Sequence, residues 1–201
     1  MSANAISIDN VLEQFPLQVT LADERSVELR AADPADRDAI VAFARSLPEQ
    51  DLLFLRVDIT QPEVVEHWLA NVAAGVTVSL LAYDGDAVAG YATIDRNPAR
   101  WTRRVGEIRV NVGSEYRSQG LGRHLSAKIF DIARHLGLKK LMAHMTPDQR
   151  GAQAAFKRLG FIPEALLADY VEDRLGRLHD LVIMSYDVDG LTDQVDDPLR
   201  V

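Results

Sequence analysis

Apolar positions along this chain switch repeatedly between a spacing of two and a spacing of three or four, the marks of strands and helices in turn. Residues 26–31 alternate as a short strand. Asp33 and Pro34 then read as the N-cap and first residue of a helix that buries Ile40, Phe43, Ala44 and Leu47 and ends before Pro48. A second helix follows Thr60, with Pro62 near its start, Val64, Val65, Trp68, Leu69 and Val72 as its apolar stripe, and Gly75 as its stop. Two β-rich runs, 76–83 and 87–95, flank Asp84-Gly85-Asp86, a hairpin signal. The next strand, 103–112, sets Ile108, Val110 and Val112 on one face and Glu107, Arg109 and Asn111 on the other.

The most regular helix comes next. Leu121, Leu125, Ile129, Ile132 and Leu136 form one stripe, and Gly137 stops it. Residues 138–145 read as a strand and 149–159 as a helix closed by Gly160. Residues 161–173 and 178–187 pair across Leu175-Gly176-Arg177. This alternation predicts an α/β protein around a mixed sheet. Residues 1–24 show little periodicity beyond Phe15, Leu17, Val19 and Leu21 and read as an N-terminal arm. Residues 189–201, with Asp189, Asp193, Asp196 and Asp197, read as an acidic C-terminal tail.

Composition narrows the chemistry. A chain of 201 residues suits one domain with a well-buried core. It has no cysteine, which excludes disulfides, thiolate metal sites and a cysteine nucleophile. The five histidines show no metal-ligand spacing, so no metal is expected. The uncharged run 72–83 is too short to span a bilayer, and the N-terminus lacks the basic start of a signal peptide. A cytoplasmic location without a membrane partner is expected. Net charge is −8, which argues against nucleic acid as a partner. Its distribution is uneven: residues 96–158 hold 14 Lys and Arg against four Asp and Glu, and the rest hold eight against 26. A basic segment in an acidic chain fits a phosphate-bearing ligand.

One loop sits where such a ligand would bind. Arg117-Ser118-Gln119-Gly120-Leu121-Gly122-Arg123 joins a strand to a helix. The first amides of a helix lack intrahelical acceptors, and the helix dipole adds positive charge there. Glycines let a phosphate approach those amides, and Arg117 and Arg123 supply cations. There is no P-loop Gly-Lys-Ser/Thr and no Gly-x-Gly-x-x-Gly dinucleotide fingerprint.

Around this loop the chain resembles the GNAT superfamily of N-acetyltransferases. The strand ending Val110-Asn111-Val112, followed by Glu115 to Gly122, looks like that family's acyl-CoA motif, and Ala154 to Phe161 looks like its second helix end. The resemblance covers about residues 76–187 and implies a GNAT-like mixed sheet of about six to seven strands, flanked by about four helices, within a domain over 25–188. It implies acetyl-CoA as co-substrate, its pantetheine lying along the backbone of Val110, Asn111 and Val112 and its pyrophosphate on the amides of 117–123. Gln149 and Phe156 fall where the family's second motif meets the cofactor. Glu107 is the candidate general base, the alternative being a surface carboxylate paired with Arg109 or Arg104. The backbone of Val112 is the candidate oxyanion donor.

Two positions depart from the family pattern. Phe156 stands where a tyrosine usually serves as general acid, and Gln149 replaces an asparagine. Tyr170 and Tyr116 are substitutes for the acid. His144 is placed beside the expected gap, and Asp169, Glu172 and Asp173 near a hairpin that often recognises the acceptor. Trp68 and Phe54 are candidates for the acceptor side. Residues 52–56 look somewhat like the same region in members that acetylate protein lysines. The reading is direct acetyl transfer to a primary amine, of a small molecule or a protein lysine, in a ternary complex. The alternative is a degenerate domain that binds acyl-CoA as sensor or scaffold without turnover. A homodimer is also compatible with the resemblance.

Overall fold

The computed structural model describes residues 12–53, 55–97 and 99–189. Phe54, most of the N-terminal arm and nearly all of the acidic tail therefore lie outside the described residues. Eight strands form one sheet: β1 (Leu17–Thr20), β2 (Ser26–Ala31), β3 (Thr77–Asp84), β4 (Ala87–Arg96), β5 (Val105–Val112), β6 (Lys140–Met145), β7 (Ile162–Glu172) and β8 (Leu178–Asp187). Its helices are α1 (Arg37–Ser46), α2 (Glu49–Leu52), α3 (Pro62–Ala73), α4 (Leu121–His135) and α5 (Arg150–Arg158). The spatial order is β1-β2-β3-β4-β5-β6-β8-β7. Every neighbouring pair is antiparallel except β5 and β6.

The α/β class and the predicted succession of elements hold. Two elements were not expected. The sheet has eight strands rather than six or seven, because residues 17–20 of the arm pair with β2, Leu17 opposite Leu29 and Thr20 opposite Ser26. Four residues of alternation are too few to stand out from an irregular neighbourhood. The four-residue α2 is equally faint in sequence.

The sheet is covered on both faces, and strand alternation divides its side chains between two cores. Ile40, Phe43 and Ala44 of α1 and Val65 and Leu69 of α3 pack on Leu81, Tyr83, Val88 and Tyr91. On the other face, Leu121, Leu125, Ile129 and Ile132 of α4 pack on Val78, Leu80, Ala92, Ile94 and Ile108. At ~25 cal/mol per Å² of apolar area removed from water, these faces are the main source of stability. No described helix is long and apolar enough to cross a membrane.

The functional consequence lies in the middle of the sheet. The parallel pair β5–β6 is joined at Val105–Lys140, Gly106–Leu141 and Glu107–Met142, and then stops. Both strands run on, but each stays with its outer neighbour: β5 with β4 as far as Val112, β6 with β8 as far as Met145. The sheet is split there. Backbone parity tells which groups face the split. Arg104 O accepts from the Lys139 and Lys140 amides on the β6 side, and the Gly113 amide donates to Ala89 O on the β4 side (2.9 Å). Alternation along β5 then turns the amides and carbonyls of Ile108, Val110 and Val112 toward the gap and those of Arg109 and Asn111 toward β4.

Close approach at the mouth of the split requires a glycine. A Cβ on Gly90, opposite Val112, would lie 2.7 Å from Asn111 O, a backbone atom that cannot move aside alone. We expect Gly90→Ala to cost ~1–3 kcal/mol of stability, as overpacking does. In urea titration the midpoint should fall with the slope unchanged.

Candidate active site

The chain leaves β5 through a short turn, Ser114–Tyr116, and enters α4 at Gly120. Gly120 has φ +93°, a left-handed conformation natural to glycine, and no side chain caps the helix start. The first α4 amides therefore point outward with no partner among the described residues. The β1–β2 turn supports this loop from behind: the Ala22 amide donates to Gln119 O (3.0 Å), and Arg25 donates to Glu115 O (2.9 Å).

In front of the loop runs a groove of about 740 Å³. One wall is Val110, Val112, Arg117, Ser118, Gly120, Gly122 and Arg123; the other is α5 with Gln149, Arg150, Phe156 and Arg158. Open strand amides, unpartnered helix amides and four arginines suit a long ligand with an extended amide-bearing arm and a polyphosphate. The expected cofactor residues mostly meet here. Three contribute differently from a simple lining. Leu121 is fully buried in the core and offers only its amide. Gln119 is outside the groove lining. Asn111 reaches the site with its side chain, which donates to the Tyr91 hydroxyl, its backbone being turned to β4. Arg117 donates to Val112 O (3.2 Å) and also pairs with Asp51 of α2. Nothing in the sequence flagged Asp51, an acid outside the basic segment.

Behind the groove, a constriction of about 80 Å³ passes through the split, lined by Val110, Asn111, Ala143, His144, Gln149 and Phe156 among others. It opens on the far face into a chamber of about 380 Å³ that holds Glu107, Arg109, His144, Arg56, Tyr170 and Glu172. Glu107 is 17% exposed. Arg56 donates to its Oε2 (2.7 Å), Arg109 pairs with its Oε1, and His144 Nδ1 stands 3.6 Å from Oε1. The carboxylate is thus paired with Arg109, as one sequence alternative had it, yet it also faces the chamber. Burial pushes the Glu107 carboxyl up, but the charges of Arg109, His144 and Arg56 outweigh this and hold it below the usual carboxylate range. For His144, burial together with Arg109 and Arg56 outweighs the pull of Glu107 and holds the imidazole below the usual histidine value. The chamber therefore pairs an ionised carboxylate with a neutral imidazole at neutral pH.

The remaining sequence candidates separate clearly. Tyr170 lines the chamber, whereas Tyr116 donates to Asp84 (3.0 Å) away from it. Glu172 lines the chamber, but Asp173 is buried within the hairpin turn, accepting from the Leu175 and Arg177 amides and from His179. Asp169 sits at φ +49° and accounts for hairpin shape rather than lining. Phe156 is buried edge-on to Phe161 at 4.9 Å. Among the described residues no cluster of His, Asp and Glu is arranged to hold a metal.

Comparison with known proteins agrees with this geometry. The family described as Acetyltransferase (GNAT) matches residues 36–161. An L-amino acid N-acyltransferase of Escherichia coli K12, MnaT, is 29% identical over 125 residues, 62% of this chain and 72% of that protein. The structure of a ribosomal-protein-alanine N-acetyltransferase from Brucella melitensis superposes with a TM-score of 0.70 at 25% identity, over 79% of this chain and 98% of the other. The yncA protein of Salmonella typhimurium, solved with its cofactor acetyl-CoA, shares the fold with a TM-score of 0.70 at 22% identity, over 82% and 95% of the two chains.

Asp51 occupies Arg117, one of the cations lining the groove beside the helix start, so Asp51→Asn should tighten acetyl-CoA binding several-fold in calorimetric titration. Gly120→Glu adds backbone strain and a like charge at the same place, and should weaken binding at least tenfold, that is, by about 1.4 kcal/mol or more.

Proposed function

The chain belongs to the GNAT family of acetyltransferases and uses acetyl-CoA as co-substrate, and from that premise we propose that it acetylates the amine of a small, carboxylate-bearing molecule by direct transfer. The observation that carries this reading is the passage through the split sheet. It joins the basic groove on one face to the Glu107–His144 chamber on the other, so an acyl group and an amine can meet at one point without a covalent enzyme intermediate. The cysteine-free sequence fits direct transfer.

Acetyl-CoA supplies an acetyl thioester whose carbonyl carbon accepts the amine and whose thiolate departs. Around it the chain has three tasks. It must take a proton from the amine, stabilise the oxyanion and position both reactants. We assign the first to the Glu107–His144 pair. Glu107, the base expected from sequence, is weakly basic because two arginines hold it ionised. His144 is neutral and lines both chamber and constriction, so it receives the proton while Glu107 stabilises the imidazolium. The Val112 amide, turned into the gap, is placed to donate to the oxyanion. Phe156 packs beside the constriction and can donate nothing. Tyr170 is then the tyrosine with access to the site, although it is 64% exposed.

The acceptor reading rests on Arg56 and Arg109. Two guanidiniums at the mouth of the chamber suit a free carboxylate, which a protein lysine lacks. The named relatives act on an L-amino acid and on a ribosomal-protein alanine, both in keeping with an α-amine. The cytoplasm is the location we assign. Phe156 and Gln149 favour one rival, an acyl-CoA sensor without turnover.

Release of free thiol from acetyl-CoA in the presence of amino acids tests these points. His144→Gln should lower kcat ~10²–10⁴-fold with acetyl-CoA affinity unchanged, the range of a lost general base. In the parent, kcat should rise with pH through a limb below about 6.5, because His144 must be neutral and its environment disfavours the charged form. Glu107 stabilises the imidazolium, so Glu107→Gln should move that limb to lower pH as well as slow the reaction. Acetyl-CoA binding with no turnover on any amine would establish the sensor instead.

A further inference from the structure

A second chamber, of about 320 Å³, adjoins the catalytic one on the same face of the sheet. It falls at the lower end of the size range of small-ligand sites. Leu55, Arg56 and Arg109 line both chambers and form the partition between them. The β4–β5 register fixes their relation. Thr93 lies opposite Arg109 and Asp95 opposite Glu107, so the second chamber stands one strand, ~4.8 Å, from the catalytic row.

Its walls are largely apolar. Val64, Trp68 and Asn71 come from one face of α3, at helical spacing, with Ile59 before the helix and Tyr91 on β4. Several of its polar groups are engaged, whereas Thr93 Oγ1 is buried with no hydrogen-bond partner among the described residues. Trp68 Nε1 donates to Ser79 Oγ (2.9 Å), and the Tyr91 hydroxyl accepts from Asn111. Asp95 accepts from the Thr77 hydroxyl (2.7 Å) and faces Arg109 at 3.8 Å. An anionic side chain entering here would lose water and face Asp95, and a cationic one would lose water and meet Arg56 and Arg109 at the partition, whereas an apolar one is buried without that cost.

We propose that this second chamber receives the side chain of an α-amino acid acceptor and selects uncharged, medium-sized to large side chains. The proposal rests on the small-carboxylate reading above. In an α-amino acid, amine, carboxylate and side chain radiate from one carbon. With the amine at Glu107–His144 and the carboxylate at Arg56 and Arg109, the third substituent points across the partition into the second chamber. Trp68, assigned to core packing or the acceptor side by sequence, does both. Its ring stacks at a tilt on Tyr91 with centroids 5.0 Å apart and closes the chamber wall. Selection then follows from space on α3. Asn71 and Val64 are specificity-determining positions, neither in contact with the reacting groups.

The test measures kcat/KM at saturating acetyl-CoA for glycine, alanine, leucine, phenylalanine, glutamate and lysine, in the parent and in Asn71→Phe and Val64→Ala. Leucine or phenylalanine should lead in the parent, with glutamate and lysine at least tenfold behind. Asn71→Phe fills the chamber, so it should cut kcat/KM for the large side chains at least tenfold while leaving glycine and alanine within about twofold. A few lost methylene contacts are worth that much. Val64→Ala enlarges the chamber and should shift preference toward phenylalanine. Unchanged acetyl-CoA affinity in each variant verifies that it is folded. Amino acids acetylated with a selectivity that neither variant alters, or with charged side chains preferred, would overturn the chamber assignment alone. Acetylation of peptide lysines or polyamines but of no free amino acid would overturn the carboxylate reading beneath it.

Discussion

The end of β5–β6 pairing at Glu107 and Met142 is the constraint on which the rest of this molecule depends. A buried sheet normally satisfies every amide and carbonyl, and an unmet pair in its centre is costly. Here β5 is held by β4 and β6 by β8 beyond the point where they part. Neither can close the gap without breaking an outer ladder. The open groups of Val110 and the open amide of Val112, whose carbonyl accepts from Arg117, are thus a standing demand for an extended, hydrogen-bonding partner. The same separation opens a passage between the basic groove and the Glu107–His144 chamber. Fold and chemistry are linked through a missing piece of sheet.

A second set of interactions lies over that split. The segment from α2 to Asp58 pairs with three otherwise separate regions: Asp51 with Arg117 of the cofactor loop, Arg56 with Glu107 of β5, and Asp58 with Arg174 of the last hairpin. Exposed ion pairs contribute little to stability, ~0–1 kcal/mol each. These pairs matter through what they hold in place and through what replaces them. In the proposed reading, the cofactor's phosphates would compete with Asp51 for Arg117, and an acceptor carboxylate would compete with Glu107 for Arg56. On that reading, cofactor and acceptor would meet the same segment from opposite ends.

Much of this was legible in the sequence because it depends on local pattern. The alternation around Glu107, the glycines before α4 and the stripe from Leu121 to Leu136 are each set by neighbours a few residues away. So is the cofactor loop, whose geometry follows from a helix start. The chambers are another matter. They are built from the segment after α2, α3, β4, β5, β6 and the last hairpin, and their character comes from which charges meet across those elements. Arg56 and Glu107 are 51 residues apart in sequence, and Asp51 and Arg117 are 66 apart. Asp173 illustrates the converse: its position near the hairpin suggested acceptor recognition, but the turn itself consumes its oxygens. The β1 strand was hidden because an edge strand of four residues owes its existence to its partner.

Residue-resolved amide hydrogen exchange, with and without acetyl-CoA, tests the central claim most directly. The open β5 edge should be sealed by the bound cofactor, so exchange at Val110 and Val112 should slow strongly. Arg109 and Asn111, already bonded to β4, should change little. Tight acetyl-CoA binding that leaves Val110 and Val112 as exchangeable as before would contradict the account, because the cofactor would then lie elsewhere than along the split.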